Sequence, residues 1–434
     1  DIGGMIMVHG KKSYLVVFLL VLSLALSTAL AEGGVTVEAN PDSATGYTAT
    51  FTYEDPDAAR VQIKGGFTFY RPGDIYALSN GRLNLDGSIA DPEHLLTPET
   101  WEPGASRFGD SGYVADMTFD EATGSWKTSV NLPGGSYLYQ FVVTDSEGNE
   151  TTVTDPANIP SVNALGANQE RSQFYVSYNP EKQAESDDWT FVLPIDDESA
   201  KGEILWLEYE GATFEGSESN AQQMMIYLPA GYDAGSEKPY KVLYLCHGGG
   251  GEEGDWFHQG NAHNIVDRLI ASGQTEPFII AAIDISSGTD AELVANVLEY
   301  TIPFMQDNYN ASAEVEDRAF AGLSKGGKLT YAAYQLASDQ FGYFGVFSVG
   351  HPSSDYSILD AVALNEPVLY LAVGYADNTL DYAFQAGQVP MAPFSVYLSD
   401  VGVDYVGLNV VEGGHDWFTW PQTLRDFVAT ALWK

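Results

Sequence analysis

Residues 318–327 read Arg-Ala-Phe-Ala-Gly-Leu-Ser-Lys-Gly-Gly, a short apolar run ending in Gly322-Leu323-Ser324-Lys325-Gly326. The run predicts a buried strand at 318–321, and a helical pattern follows at 325–338. G-x-S-x-G between a strand and a helix describes a sharp turn that lifts a serine hydroxyl above the end of a sheet. Gly322, Gly326 and Gly327 let the chain pass close by. A serine hydroxyl is a weak nucleophile until a base removes its proton. Ser324 therefore calls for a base and an acid elsewhere in the chain.

On either side of this turn, strands and helices alternate. Strand patterns lie at 241–246, 278–285, 343–349, 367–373 and 405–411, with helical patterns at 261–272, 290–309 and 422–433. A hairpin pattern, 203–209 and 222–228, opens the series. Apolar strands alternating with helices predict a mostly parallel sheet covered on both faces. With the serine turn, residues 202–434 read as an α/β-hydrolase. In that class the acid and the base follow the serine, each on a loop after a later strand. Asp377 follows the strand at 367–373, and His415 follows the strand at 405–411. His415 is the expected base and Asp377 the residue that orients it. Asp381, Asp400 and Asp404 are rivals for the acid.

The oxyanion hole is expected from Tyr244-Leu245-Cys246-His247-Gly248-Gly249-Gly250-Gly251, a buried strand running into a glycine-rich loop. The backbone N–H groups of Gly248 and Gly249, with that of Lys325, are its candidate donors. No Lys-Ser/Thr follows the glycines, which argues against a nucleotide loop. Cys246 reads as a small core residue and His247 as structural.

These motifs resemble the feruloyl and acetyl-xylan esterases of carbohydrate esterase family 1. The resemblance rests on His247 to Gly251, Glu253, Trp256, residues 261–273 and 318–327, Gly413-Gly414-His415-Asp416-Trp417, and Trp420. It implies hydrolysis of ester decorations on plant cell-wall xylan, feruloyl or acetyl, with no cofactor and no metal. Lys325 departs from the family pattern, which has Met there; it reads either as a cationic lip at the mouth or as an exposed side chain without a role. The stretch between His351 and the Asp377 loop is short, which bears on the shape of the acyl pocket. Trp256 and Trp417 are candidate substrate-binding residues, with Phe257 and Trp420 near them; aromatic rings of this kind serve equally as core. A siderophore trilactone esterase of the enterochelin type is an alternative, since such enzymes also carry a β domain ahead of a similar hydrolase. A non-catalytic carbohydrate-binding protein is a further alternative, against which the intact serine, acid, base and glycine loop argue.

Residues 35–178 follow a different rule. Short alternating runs at 47–53, 59–63, 113–119, 126–132, 137–144 and 151–154 are separated by turn residues. They predict an all-β immunoglobulin-like sandwich. The stretch 71–112, rich in Gly, Pro and Asn, reads as a long loop. Asp55 to Ile63, Gly124-Ser125-Trp126, Leu132 to Tyr137 and Asp155-Pro156-Ala157-Asn158 resemble carbohydrate-binding module family 48. That resemblance implies a glycan-binding face; a sandwich that only packs on the catalytic domain is the alternative. Residues 179–201, polar and acidic with Pro180 and Pro194, predict a linker.

Two domains suit a chain of 434 residues. Lys+Arg number 19 against 60 Asp+Glu, a formal net charge of −41, which excludes nucleic-acid and polybasic membrane roles. A single cysteine, Cys246, excludes an internal disulfide framework and a cysteine zinc cluster. At the N-terminus, Asp1 to Gly4 precede the first Met. Lys11 and Lys12 stand before the apolar run 14–26, and an A-x-A pattern ends at Ala31. Residues 1–31 are thus expected to end in a cleaved secretory signal, since a run of 13 residues is short for a membrane span. The expected location is secreted or periplasmic, with no membrane attachment after cleavage.

Overall fold

The computed structural model describes residues 34–71, 95–109, 112–158, 171–183, 188–351, 367–381, 388–401 and 405–434. The expected export signal, Asp404 and the stretch 352–366 lie outside them.

The N-terminal strands are β1 Gly34–Ala39, β2 Tyr47–Glu54, β3 Arg60–Gly65, β4 Thr68–Tyr70, β5 Ser106–Gly109, β6 Tyr113–Asp116, β7 Thr118–Asp120, β8 Ser125–Leu132, β9 Gly135–Thr144, β10 Glu150–Val153 and β11 Ser172–Val176. One antiparallel sheet has the order β1-β2-β8-β7, and another β10-β9-β3-β6, with β11 also on β9. Alternation decides what they bury. Ala49 and Phe51 of β2, Val61 and Ile63 of β3, and Tyr137, Tyr139 and Phe141 of β9 meet in one core. The run 113–119, expected as one strand, is divided between the two sheets, with Met117 buried at the crossing. The expected loop 71–112 also needs correction. Within it β5 pairs with β4 in a separate two-stranded ribbon, anchored because Trp101, Ala105 and Phe108 are apolar and buried.

The second part holds β12 Glu203–Glu210, β13 Ala221–Leu228, β14 Val242–Cys246, β15 Ile279–Ile283, β16 Arg318–Leu323, β17 Tyr343–Phe347, β18 Val368–Gly374 and β19 Tyr405–Val411. Its eight-stranded sheet has the order β12-β13-β15-β14-β16-β17-β18-β19. It is antiparallel at the opening hairpin and parallel from β15 to β19. The helices are α1 Asp255–His258, α2 Ala262–Ala271, α3 Asp290–Asn296, α4 Ile302–Tyr309, α5 Lys325–Leu336, α6 Met391–Val401 and α7 Trp420–Thr430. The strands alternate between two cores. Val242, Tyr244 and Cys246 of β14 face α3, α5 and α6, whereas Leu243 and Leu245 face α2 and α7. This is the α/β-hydrolase arrangement, and it explains why these strands read as continuous apolar runs. No helix among the described residues is long and apolar enough to cross a membrane.

Residues 188–194 do not run free as a linker. Trp189 stacks on Phe418 at 4.6 Å, and Val192 joins the α2/α7 core. The carbonyl of Val192 accepts from Asn264 Nδ2 at 2.9 Å, and that of Leu193 from Arg268 Nε at 2.6 Å. The polar composition suggested solvent, but hydrolase side chains satisfy this backbone while its apolar residues anchor it. Arg107 of β5 completes the seam, its guanidinium 4.5 Å from the Tyr137 ring and 4.3 Å from the Phe418 ring.

Candidate active site

Ser324 stands between β16 and α5 with φ +51° and ψ −111°. A non-glycine residue in such a conformation carries strain of order 1–3 kcal/mol and persists only where its surroundings impose it. Here they do. The Ser324 N–H donates to Phe347 O at 3.0 Å, and its carbonyl accepts from Lys328 N at 2.9 Å. A Cβ on Gly326 would lie 2.5 Å from the His247 carbonyl, and one on Gly322 would lie 2.6 Å from Gly326. Only glycine fits a turn this tight.

The structure brings the three sequence candidates together. His415 Nε2 is 3.0 Å from Ser324 Oγ, and His415 Nδ1 is 3.0 Å from Asp377 Oδ2. Asp377 is completely buried, whereas His415 keeps some exposure. The other oxygen of Asp377 accepts from the Thr379 N–H at 2.9 Å and the Thr379 hydroxyl at 2.8 Å. Burial works against the charge on Asp377, yet the imidazole of His415 and hydrogen bonds from His415, Thr379 and Ser348 outweigh it. Its carboxyl is held below the ordinary carboxylate value. The rivals Asp381 and Asp400 are exposed.

The loops carrying Asp377 and His415 are bonded to each other. Tyr375 N donates to Val411 O at 2.7 Å, and Ala376 N to Gly413 O at 2.8 Å. Thr419 Oγ1 donates to Gly414 O at 2.6 Å, and Gln422 Nε2 to Glu412 O at 3.0 Å, so the start of α7 braces the His415 loop from within.

Gly248 is buried beside Ser324, and a Cβ there would lie 3.7 Å from Ser324 Cβ. Gly249 is exposed and faces open space. The His247 ring is fully buried and explains the loop's rigidity. Its Nε2 accepts from Ile285 N at 3.0 Å, which leaves Nδ1 as the donor to Gly248 O at 2.7 Å. That bond fixes the peptide between Gly248 and Gly249. The Lys325 N–H opens α5, among the first helical donors without an intrahelical acceptor. The Lys325 ammonium is no lip at the mouth: it donates to Ile285 O at 2.6 Å and Ser286 O at 3.3 Å.

Of the two tryptophans expected to contact substrate, Trp256 is wholly buried, and its indole N–H donates to Cys246 O at 2.9 Å. It is a core residue, because α1 folds it under the glycine loop. Trp417 lies edge-on between Trp256 and Trp420, at 5.3 and 4.9 Å, and is 8% exposed. Trp420 stands edge-on to His415 at 5.5 Å and donates to Ser348 Oγ at 3.0 Å. Cys246 is fully buried, and burial pushes its thiol far up, which suits a core residue and not a nucleophile. Sequence reasoning missed Ser348 and Thr379. Ser348 sits directly after β17 and Thr379 two residues past Asp377, and neither belongs to a motif. Among the described residues no group of three or more His, Cys, Asp or Glu is placed to hold a metal ion.

Residues 219–431 match the model of a protein family described as "Putative esterase". An endo-1,4-beta-xylanase/feruloyl esterase of Xylanibacter ruminicola is 32% identical over 231 residues, 50% of this chain and 30% of that protein. Endo-1,4-beta-xylanase Y of Acetivibrio thermocellus is 26% identical over 239 residues, 49% of this chain and 22% of that protein. The chain thus matches less than a third of the length of either. Among solved structures, the enterochelin esterase of Shigella flexneri has a TM-score of 0.54 at 15% identity, covering 93% of this chain and 96% of that one. That likeness is one of fold and extends over both parts of the molecule. Residues 219–431 are accordingly those of a carboxylic ester hydrolase.

Proposed function

We propose that this protein is an exported serine esterase that removes feruloyl or acetyl groups from plant cell-wall xylan or its oligosaccharides. The observation that carries the reading is the chain of contacts from Ser324 Oγ through His415 to the buried Asp377, 3.0 Å at each link. His415 Nε2 takes the Ser324 proton as Oγ attacks the ester carbonyl. The N–H groups of Lys325 and of Gly248 and Gly249 stabilise the resulting oxyanion. The intermediate collapses, and His415 protonates the departing sugar oxygen, which leaves as a hydroxyl. Water, deprotonated by His415, then attacks the acyl-enzyme and releases the acid and Ser324. Asp377 keeps His415 in the tautomer with the proton on Nδ1 and offsets the imidazolium charge.

The choice of substrate rests on the xylanase/feruloyl esterase relative, on the resemblance to carbohydrate esterase family 1, and on the charge of −41, which disfavours polyanionic substrates. The N-terminal sheets are proposed as an immunoglobulin-like sandwich of the carbohydrate-binding kind, supported by their shared core and the turn motifs. Secretion or periplasmic location is proposed from the basic, apolar and small-residue segments ending at Ala31.

A second reading, a siderophore trilactone esterase, is supported by the fold likeness to an enterochelin esterase over both parts of the chain. Purified protein assayed on methyl ferulate, 4-nitrophenyl acetate and a catecholate trilactone separates the two. Turnover of the trilactone well above that of methyl ferulate and the acetate would overturn the xylan assignment.

A further inference from the structure

The ribbon β4–β5 is built by the N-terminal part of the chain, yet it lies against the loops that carry the acid and the base. Neighbouring residues on each strand point to opposite sides. On β4, Phe69 enters the N-terminal core, whereas Tyr70 packs with Phe108 of β5 and with Ala376 of the hydrolase. All three are 2% exposed or less. Tyr70 and Phe108 meet edge-on at 5.9 Å. Ala376 directly precedes Asp377. A Cβ on Gly414, which directly precedes His415, would lie 3.1 Å from the Phe108 carbonyl. The Tyr70 hydroxyl donates to Glu412 Oε2 at 3.4 Å, three residues before His415. α7 braces these loops from within, so the ribbon closes their outer side.

We propose that Tyr70 and Phe108 are positioning residues for the hydrolytic site: the N-terminal ribbon holds the Asp377 and His415 loops in register with Ser324. Catalytic side chains lose efficiency steeply when displaced, about a hundredfold for 1 Å. Neither residue need touch the substrate. The inference rests on the reading of Ser324, His415 and Asp377 as the catalytic set.

The test uses the full chain and 4-nitrophenyl acetate, with rates divided by the number of Ser324 hydroxyls that a fluorophosphonate titrates to completion, so that misfolded molecules do not count. Tyr70→Phe keeps the ring and removes only the hydroxyl; it should stay within about threefold of wild type. Phe108→Ala and Tyr70→Leu should lower kcat roughly tenfold to a hundredfold with KM within about threefold. In both, the acid limb of kcat/KM should move to lower pH, because a looser Asp377 contact stabilises the imidazolium less. Phe108→Leu, which restores apolar volume, should recover most of the rate. If Phe108→Ala does not fold, Tyr70→Leu carries the same comparison. Folded Phe108→Ala and Tyr70→Leu with kcat within twofold of wild type, or with an unmoved acid limb, overturn the proposal. Ser324→Ala is run beside them. If it remains active, the reading of the site itself fails; if it is inactive while the ribbon variants behave as wild type, only the positioning role fails.

Discussion

The Lys325 ammonium reaches past the mouth of the site and bonds the Ile285 carbonyl at 2.6 Å. The next peptide carries the Ser286 carbonyl, and the same ammonium lies 3.3 Å from it. Ile285 is also the residue whose N–H is held by His247. Lys325 and His247 thus clamp one turn of chain behind the glycine loop. Lys325→Met keeps the backbone N–H proposed for the oxyanion but removes the clamp. It should cost about 1.5–3 kcal/mol of stability, the usual range for a hydrogen bond to a charged group. Activity at 25 °C should change by less than about fivefold, since the donor N–H remains. Denaturant unfolding and steady-state kinetics on the same preparation check both parts.

Ser324 should be indispensable for turnover, and its side chain should be a burden on the fold. Ser324→Ala should lower kcat by several orders of magnitude. Ser324→Gly should be equally inactive but more stable than Ser324→Ala by about 1 kcal/mol, because glycine adopts φ +51° without strain. Equal melting temperatures for the two variants would show that the turn is unstrained.

The pH dependence of activity should show one acid limb. Asp377 is held below its ordinary value and is ionised throughout the range in which a histidine titrates. The limb therefore belongs to His415, which must be neutral to accept the Ser324 proton. A free histidine titrates near pH ~6.5. Plots of log kcat/KM against pH should fall with unit slope below that point. A slope of two would mean that a second group also titrates. Asp377→Asn should lower kcat by about 10⁴, as loss of the orienting carboxylate does in comparable triads.

Two histidines outside the site should make the fold acid-sensitive. Burial pushes His258 down to about 4, with the neighbouring His263 adding to the shift, and burial does the same to His263. Their folded values lie below the unfolded value of ~6.5, so the unfolded chain binds more protons in between. Stability should be full above pH ~6.5 and decline from there down to about pH 4, by several kcal/mol for the pair. Below that the contribution should level off. Asp377, with its depressed value, adds a loss only below about pH 4. Melting temperatures from pH 7.5 to 4 should fall less steeply in His258→Leu than in wild type.

Trp189 tests whether residues 188–194 belong to the hydrolase. The ring is buried against Phe418. Trp189→Ala should destabilise the chain by about 3–5 kcal/mol, the cost of a large buried aromatic. A change under 1 kcal/mol, measured by denaturant unfolding, would return this segment to the role of a passive linker.

Much of the hydrolase was legible because its signals are local. A strand such as 242–246 buries residues that are apolar in the sequence itself, and Ser324 is announced by glycines on both sides. His415 and Asp377 followed from their places after strand ends. What escaped depended on partners far away in the chain. Nothing around Phe108 marks it as a strand residue, because β5 gains its partner only when β4 arrives and its burial only when Ala376 does. Trp256 sits in a plausible mouth segment, and only the fold of α1 turns it inward. α6 escaped because its pattern, Met391 to Val401, is apolar on most sides and Pro393 stands inside it, which breaks the helical reading.

The ribbon also sets an order of events during synthesis. Tyr70 and Glu412 are 342 residues apart. At about 5–20 residues per second, Tyr70 is made roughly 17–70 s before Glu412. For that interval the N-terminal sheets can form, but the apolar side of Tyr70 and Phe108 has no hydrolase loop to cover it. A nascent chain of this protein therefore displays a sticky edge that stays bare until the loops around Ala376 and Glu412 arrive, the kind of transiently exposed apolar surface that promotes aggregation.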